Sequence, residues 1–572
     1  MRKVIIGLSA SLSLLLTLDA GAQPAPAAPP EPAPPTPEPS TSAPAPSPEP
    51  APPPASPAPV PAASPSPAPP VVAPGAGAKT DGLPPPPLAP PPLFPSQLED
   101  VEEEPLVGFS KGRLFLRDAD DTFRLYPGGR LRTDFIWAPG GADITSAQGA
   151  RFLKPSFLVR RVRLELSGEI LERIAFTAGA ELGGQRIGET VYTGDDTVRF
   201  APANAHDGTF RPADVTISYR FRSWLNLTLG NQNVPFSMSN RTREYATTFM
   251  ERNIAIRGFV VPYAKDLGLT LWGDLLEEDL LSYEVGVFGG DGPDRPFVDA
   301  RADFVGRVFA RPLSTLGDGT FWDETQVGLS VRHGQRSQDD VFYDAPTIAT
   351  NHGYVLWQPG YVDSNDRVTK VIPSGAENAI GGEVRVPIRA PTGAVFDLRG
   401  EAYYLNKNTR EAIAGFETTN TERFGRLNGV SWYTEVSFWG CCTDQLVTGR
   451  PGMWRPYTVN PKEDTPLLRG LHLSVLAGGI HANYRGASRS GSTADANTPN
   501  GDITVYQLGG GAQFWIGHNF RATLNYFAYF APGAGQPADN QVLVPQNLVV
   551  AGGFRGGGEV QHELGVRTAI TF

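Results

Sequence analysis

The sequence predicts an all-β protein, a 16-stranded antiparallel transmembrane β-barrel preceded by a disordered Pro-rich segment. Three observations carry that expectation. Hydrophobicity alternates with a period of two in segment after segment from residue 99 onward. The connections between those segments alternate between short and long. The chain also ends on an amphipathic strand whose last residue is Phe572.

In chain order, residues 1–22 read as a signal peptide. Arg2 and Lys3 give the positive start, Val4 to Leu18 an apolar core, and Ala20, Gly21 and Ala22 a small-residue site with cleavage after Ala22. The apolar run is too short, and holds too many Ser and Thr, for a comfortable membrane span. No Cys stands at the cleavage point to take a lipid. Export across an inner membrane follows, with the bacterial outer membrane as destination.

Residues 23–98 are a second material. They hold 32 of the 56 prolines, with much Ala and Ser and almost no aromatic residue. Such a segment cannot bury enough apolar surface to fold, and samples extended polyproline II. Its reach is on the order of 200 Å at ~3.1 Å per residue. A periplasmic arm that contacts the cell wall (peptidoglycan) and a plain disordered linker both fit this composition.

Residues 99–572 read as the barrel. In Gly129–Pro139, Leu131, Thr133, Phe135 and Trp137 share one face, and Arg130, Arg132 and Asp134 the other. In Phe157–Gly168, Val162, Leu164 and Leu166 oppose Arg161, Arg163, Glu165 and Ser167. The same holds for Val215, Ile217, Tyr219 and Phe221 against Thr216, Ser218, Arg220 and Arg222. Arg and carboxylates at mid-strand suit a water-filled lumen. Short turns are expected near 168–172, 222–224, 274–280, 389–395 and 517–519. Long loops are expected near 138–156, 183–212, 232–265, 335–377, 408–428 and 531–559, with 441–469 long where a turn belongs. Trp137, Tyr219, Trp224, Trp432 and Tyr526 are expected near strand ends, as interfacial girdles. In Glu563–Phe572, Leu564, Val566, Ile570 and Phe572 share a face, the form of a barrel-assembly signal read by the barrel assembly machinery.

Composition narrows the remaining classes. A 40% hydrophobic chain with mean hydropathy −0.22 is not a helical membrane protein. An acidic pI near 5.3 argues against nucleic acid as partner. Seven scattered His at no metal-ligand spacing, and no serine–histidine motif on one barrel face, predict no metal, no cofactor and no enzyme. Cys441 and Cys442 stand together; a strained vicinal disulfide, two inert thiols and a local brace are all consistent with them.

Several segments are similar to the phosphate-selective porin family, the O and P porins. "GFSKGRLFLRDADDTFRLYPGGRLRTDF" (Gly108–Phe135) resembles the family's opening, and "FLVRRVRLELSGEI" (Phe157–Ile170) its second strand with paired arginines. "LTLGNQNVPFSMSNRTREYATTFMER" (Leu227–Arg252) resembles its fifth strand and following loop. "DLGLTLWG" and "YEVGVFGGDG" (Asp266–Gly273, Tyr283–Gly292) resemble the next two strands. The likeness runs from about residue 105 to 572, specific over 157–292 and loose after 310.

The resemblance implies a homotrimeric porin in outer-membrane lipid, passing small anions such as phosphate, with its third long loop folded into the lumen. Arginine suits oxyanions because its planar fork donates two hydrogen bonds and stays charged. Several weak stations conduct where one deep well would trap the ion. The anion-path candidates are Arg130, Arg132, Arg161 and Arg163 on the wall, with Arg241, Arg243 and Arg252 in the loop. The other reading of these arginines is as braces paired with Glu165, Asp134 or the loop acids Glu244 and Glu251. Two features depart from the family: eight Lys against 41 Arg, and "NRTREYATTF" where small hydroxylated residues would support phosphate. A general porin, and a structural barrel whose Pro-rich arm engages the cell wall, are the alternatives.

Overall fold

The computed structural model describes residues 106–110, 113–138, 155–183, 189–192, 198–201, 211–258, 264–276, 280–290, 292, 301–314, 324–337, 346–351, 355–357, 360–362, 368–390, 394–412, 423–440, 469–488, 500–517, 519–530 and 560–572. The stretch read as a signal peptide, the 23–98 segment, Cys441–Cys442 and most of the expected long loops lie outside these residues.

Among the described residues, sixteen strands form the barrel wall. They are β1 (Phe123–Trp137), β2 (Ser156–Ile170), β3 (Ile174–Gly183), β4 (Arg211–Arg222), β5 (Leu225–Asn233), β6 (Lys265–Asp274), β7 (Leu281–Phe288) and β8 (Asp303–Ala310). They continue as β9 (Gln326–Arg336), β10 (Val368–Arg389), β11 (Val395–Ala412), β12 (Arg423–Trp439), β13 (Arg469–Ser488), β14 (Asn500–Ile516), β15 (Phe520–Phe530) and β16 (Val560–Thr571). Each pairs antiparallel with the next. β16 then pairs with β1, Thr571 opposite Arg130 and Leu564 opposite Trp137, so the sheet has no open edge along this seam.

The faces fall as the alternation requires. Leu131, Ile217, Val285, Leu329, Val475 and Ile570 are exposed on the outside, while Arg130, Arg132, Ser218, Glu284, Ser330 and Arg567 are buried on the inside. An apolar outer face and a charged inner one are the arrangement of a barrel in lipid. Short connections join β2 to β3, β4 to β5, β10 to β11 and β14 to β15, all on one end. The β12–β13 connection, 440–468, is the long exception that the sequence indicated.

Two expectations are corrected. The 335–377 loop is shorter than its composition suggests, because β10 already begins at Val368 and runs for 22 residues. Its register shifts between Pro373 and Glu377, with Gly375 at φ 80°, so the parity of the alternation breaks there and conceals the strand. Trp432 lies mid-way along β12, because β10–β14, at 17 to 22 residues, overshoot the ~9–11 that a bilayer needs.

The lumen is not uniformly polar. Inward residues of β7–β15, among them Phe288, Leu405, Tyr433, Ile480 and Phe527, form one apolar cluster with Phe236, Phe249, Ile254 and Ile256 from the segment after β5. Ile348 and Leu356, from a small hairpin after β9 (Ile348–Ala349 with Val355–Trp357), join the same cluster. The rings lie flat on the wall where glycine faces them: a Cβ on Gly509 would stand 2.7 Å from the Phe527 ring. Burying a Phe or Ile side chain contributes ~1.5–3 kcal/mol. This platform therefore holds the inserted segment firmly against one side of the barrel.

Candidate functional site

Residues 234–258 leave β5 and cross the interior to the opposite wall. Two short helices shape them, α1 (Met238–Arg241) and α2 (Ile254–Arg257). Ser237 caps α1 by accepting from the Asn240 amide at 3.0 Å, and Asn253 caps α2 from the Ile256 amide at 3.3 Å. Ser237 holds φ 71°, a conformation unfavourable for a side-chain-bearing residue and sustained by its N–H bond to Ser330 Oγ on β9. The segment's amides then find wall side chains one after another. Ser239 donates to Glu401 Oε1 on β11 at 2.7 Å, Met250 to Asn525 Oδ1 on β15 at 2.7 Å, and Ile254 to Gln507 Oε1 on β14 at 3.1 Å. Backbone that would otherwise be buried without partners is satisfied by the barrel itself.

Opposite the apolar platform, β1–β4, β6 and the segment share a chain of ion pairs. Lys265 meets Asp214 at 2.5 Å, Asp214 meets Arg163 at 2.8 Å, and Arg163 meets Glu181 at 3.3 Å. Glu181 also meets Arg161 at 3.3 Å. Arg161 pairs with Glu244 of the segment, which reaches Arg132 at 3.4 Å. A second chain runs from Arg160 to Glu251 (3.3 Å), from Glu251 to Arg567 (2.9 Å), and from Arg567 to Asp134 (2.7 Å). Glu244 and Glu251 are both held below the usual carboxylate range. Burial opposes their ionisation, and it is outweighed by Arg161 and Arg132 for Glu244 and by Arg160 and Arg567 for Glu251.

The sequence-derived arginines separate by environment. Arg132 and Arg161 stand together over Glu244. Arg163 is one step away, held by Glu181 and Asp214, and Arg130 is held by Glu165 at 3.2 Å. Arg241 is buried against the wall, its Nε and Nη2 on the Glu284 carboxylate at 3.1 and 2.5 Å. Arg252 donates to the carbonyls of Ser239, Asn240 and Thr242 at 2.9, 3.3 and 3.0 Å, tying the two limbs of the segment together. Arg243 is half-buried on the segment. Phe572 ends the seam, exchanging backbone hydrogen bonds with Gly129.

Arg160 was not among the candidates, because strict alternation places it opposite Arg161. A bulge resolves this: Arg132 pairs with Arg161 and Thr133 with Val159, leaving Arg160 as the extra residue. Both members of the Arg–Arg pair therefore reach inward carboxylates. The doubled arginine within an alternating strand was the available signal. Glu181, Asp214, Lys265 and Arg567 were also missed, and nothing in their local sequence sets them apart.

Two openings flank the segment. One, about 360 Å³, is lined by Arg132, Arg160, Arg161 and Arg252 with Glu244, Glu251, Thr247 and Met250, four guanidiniums to two carboxylates. The other, about 410 Å³, has Arg252 and Arg399 against Glu251 and Glu435, with Phe249, Tyr433 and Leu476 in its lining. The positive surplus lies on the Arg132 side. Among the described residues, no group of three or more His, Cys, Asp or Glu is placed to hold a metal.

No curated protein matches the chain. Among solved structures, OmpT (in-vitro folded), an outer membrane protein of Vibrio cholerae, is 10% identical with a TM-score of 0.41, covering 80% of this chain and 99% of that one. The outer membrane channel DcaP of Acinetobacter baumannii is 11% identical with a TM-score of 0.39, covering 80% and 99%. An anion-selective porin from Comamonas acidovorans is 11% identical with a TM-score of 0.39, covering 79% and 100%. Likeness at this level says nothing of what passes through the barrel. Residues 142–284, from the β1–β2 connection into β7 and including the paired arginines and the inserted segment, match the family model "phosphate-selective porin O and P". Over that stretch, about a quarter of its length, the chain is similar to the phosphate-selective porin O and P family.

Proposed function

We propose that the chain passes small anions, phosphate or a related oxyanion, along Arg132, Arg160 and Arg161 with Arg163 and Arg130 beside them, and performs no catalysis. The observation that carries this reading is the surplus of guanidiniums at the opening beside the inserted segment, in a chain whose net charge is −11. Anion preference has to come from placement, and the placement of these guanidiniums supports it. Arg252 and Arg241 serve the path indirectly, by holding the segment's shape. Three chains associate in this reading, Phe572 presents the signal to the barrel assembly machinery, and the 23–98 segment reaches toward peptidoglycan.

A planar bilayer under a salt gradient tests it. The expected result is an anion-selective reversal potential and a chloride current blocked by phosphate. A cation-selective reversal potential would sink the reading. A second reading, a porin with little selectivity, is favoured by one observation: Arg132, Arg160 and Arg161 each have a carboxylate partner within 3.4 Å. It predicts a reversal potential near zero and no phosphate block. Deleting 24–98 separates arm from pore, since conductance should persist; loss of envelope integrity alone would make the arm the function.

A further inference from the structure

Below the seam, the short hairpin Val107–Ser110 with Arg113–Arg117 adds to the barrel wall. Leu116 and Arg117 pair with Leu125 and Arg124 of β1. This is the edge of β1 that β16 leaves uncovered when it ends at Phe572 beside Gly129. Leu125 lies four residues beyond Gly129, about 13 Å at ~3.3 Å per residue, toward the tight-turn end.

Residues paired directly across a ladder share a face. Leu125 has the parity of Leu131, which is exposed on the lipid side, so Leu116 opposite Leu125 faces outward too. Val107 pairs with Leu116 and Phe109 with Leu114, which puts all four on that outward face. Val107, Phe109 and Leu114 are 59%, 63% and 41% exposed. The opposite face is closed, with Phe115 buried on Tyr126. The patch continues the outer surface of the barrel, with Phe123 and Phe572, both exposed, between it and the belt. Its sequence, LVGFSKGRLFLR, carries three basic residues and no acidic one.

We infer that this hairpin is a membrane-seated foot, its Val107–Phe109–Leu114–Leu116 face lying in the headgroup-to-acyl boundary of the periplasmic leaflet. Continuity with the lipid-facing belt selects phospholipid as the occupant. The distance past the seam places the patch at headgroup depth, where rings and apolar side chains favour the interface.

The test uses the full chain with Cys441 and Cys442 replaced by Ser, in vesicles of phosphatidylethanolamine and phosphatidylglycerol. A spin label on Val107→Cys is compared with labels on Val285→Cys in the belt and Asp120→Cys in the exposed turn. The expected result is a label at 107 reached by oxygen and shielded from a water-soluble nickel chelate, as at 285. Access by the chelate, as at 120, would overturn the proposal in favour of water. Shielding from both reagents would overturn it in favour of a second copy of the chain. Should the 107 variant fail to fold, the triple replacement Val107→Ser, Phe109→Ser, Leu114→Ser gives a second measure. Trypsin cleavage at Lys111 in vesicles should become faster, and an unchanged rate counts against the foot.

Discussion

Phe572 and Gly129 close the barrel on each other. The Gly129 amide donates to the Phe572 carbonyl at 2.8 Å, the Phe572 amide donates back at 3.0 Å, and the terminal ring lies over the glycine. A Cβ on Gly129 would stand 2.5 Å from Phe572 Cζ and 3.0 Å from the Arg163 carbonyl. The Gly–Gly pair of the "PGGRL" element thus forms the seat for the last residue of the chain.

Gly129→Ala should therefore cost ~1–3 kcal/mol of barrel stability, the usual penalty for overpacking. Adding Phe572→Ala should recover part of that loss, since it removes the ring from the clash. Urea titration followed by heat-modifiable gel mobility reads both. An equal loss in both backgrounds would show that the ring does not set the penalty.

Glu244→Gln should raise anion selectivity. It removes the carboxylate that Arg132 and Arg161 share, and a unit charge at 4 Å is worth ~1 kcal/mol even in bulk water. Arg161→Gln should lower selectivity. Reversal potentials measure both, and no change in either variant would make these arginines braces of the wall.

Acid should act like Glu244→Gln, but late. A carboxylate whose folded-state pKa is lowered contributes stability that is present above its unfolded value, and loses it as pH falls through the folded value. Glu244 and Glu251 both lie below the usual 4.5, so the difference in reversal potential between Glu244→Gln and the parent chain should stay constant from pH 8 to about 5. It should shrink only in stronger acid. A difference that already shrinks between pH 7 and 5 would contradict the ion-pair assignment.

Arg241→Met should loosen the inserted segment. It leaves Glu284 buried with Arg307 at 3.4 Å, and breaking a buried pair typically costs ~3–5 kcal/mol. The expected signs are larger, noisier single-channel conductance and faster proteolysis within 234–258. A variant with native conductance would show that the apolar platform alone holds the segment.

The period of two was enough to read the wall: Arg130, Arg132 and Arg163 face inward as parity requires, and Leu131 and Ile217 face lipid. Parity failed where the backbone adds a residue. At Arg160 it concealed an inward arginine, and at Pro373–Glu377 it concealed the start of β10. The inner platform was illegible for another reason. Phe236, Phe249 and Ile254 are apolar residues in a loop, and only the closed wall gives them Phe527 or Ile480 to meet. The sharing of Glu244 by Arg132 and Arg161 is equally non-local, joining residues 83 and more positions apart in the chain.

The apolar platform also separates two properties that usually travel together. In an empty barrel, strand number sets diameter, and diameter sets what fits through. Here the apolar platform and the inserted segment fill part of the lumen, and the openings beside the segment are lined largely by its own residues, which can change without altering any strand. Bore and scaffold are thus inherited separately. Substitutions at Thr247, Met250 or Arg252 retune the aperture, while the sixteen-strand wall, its seam and its register remain as they are.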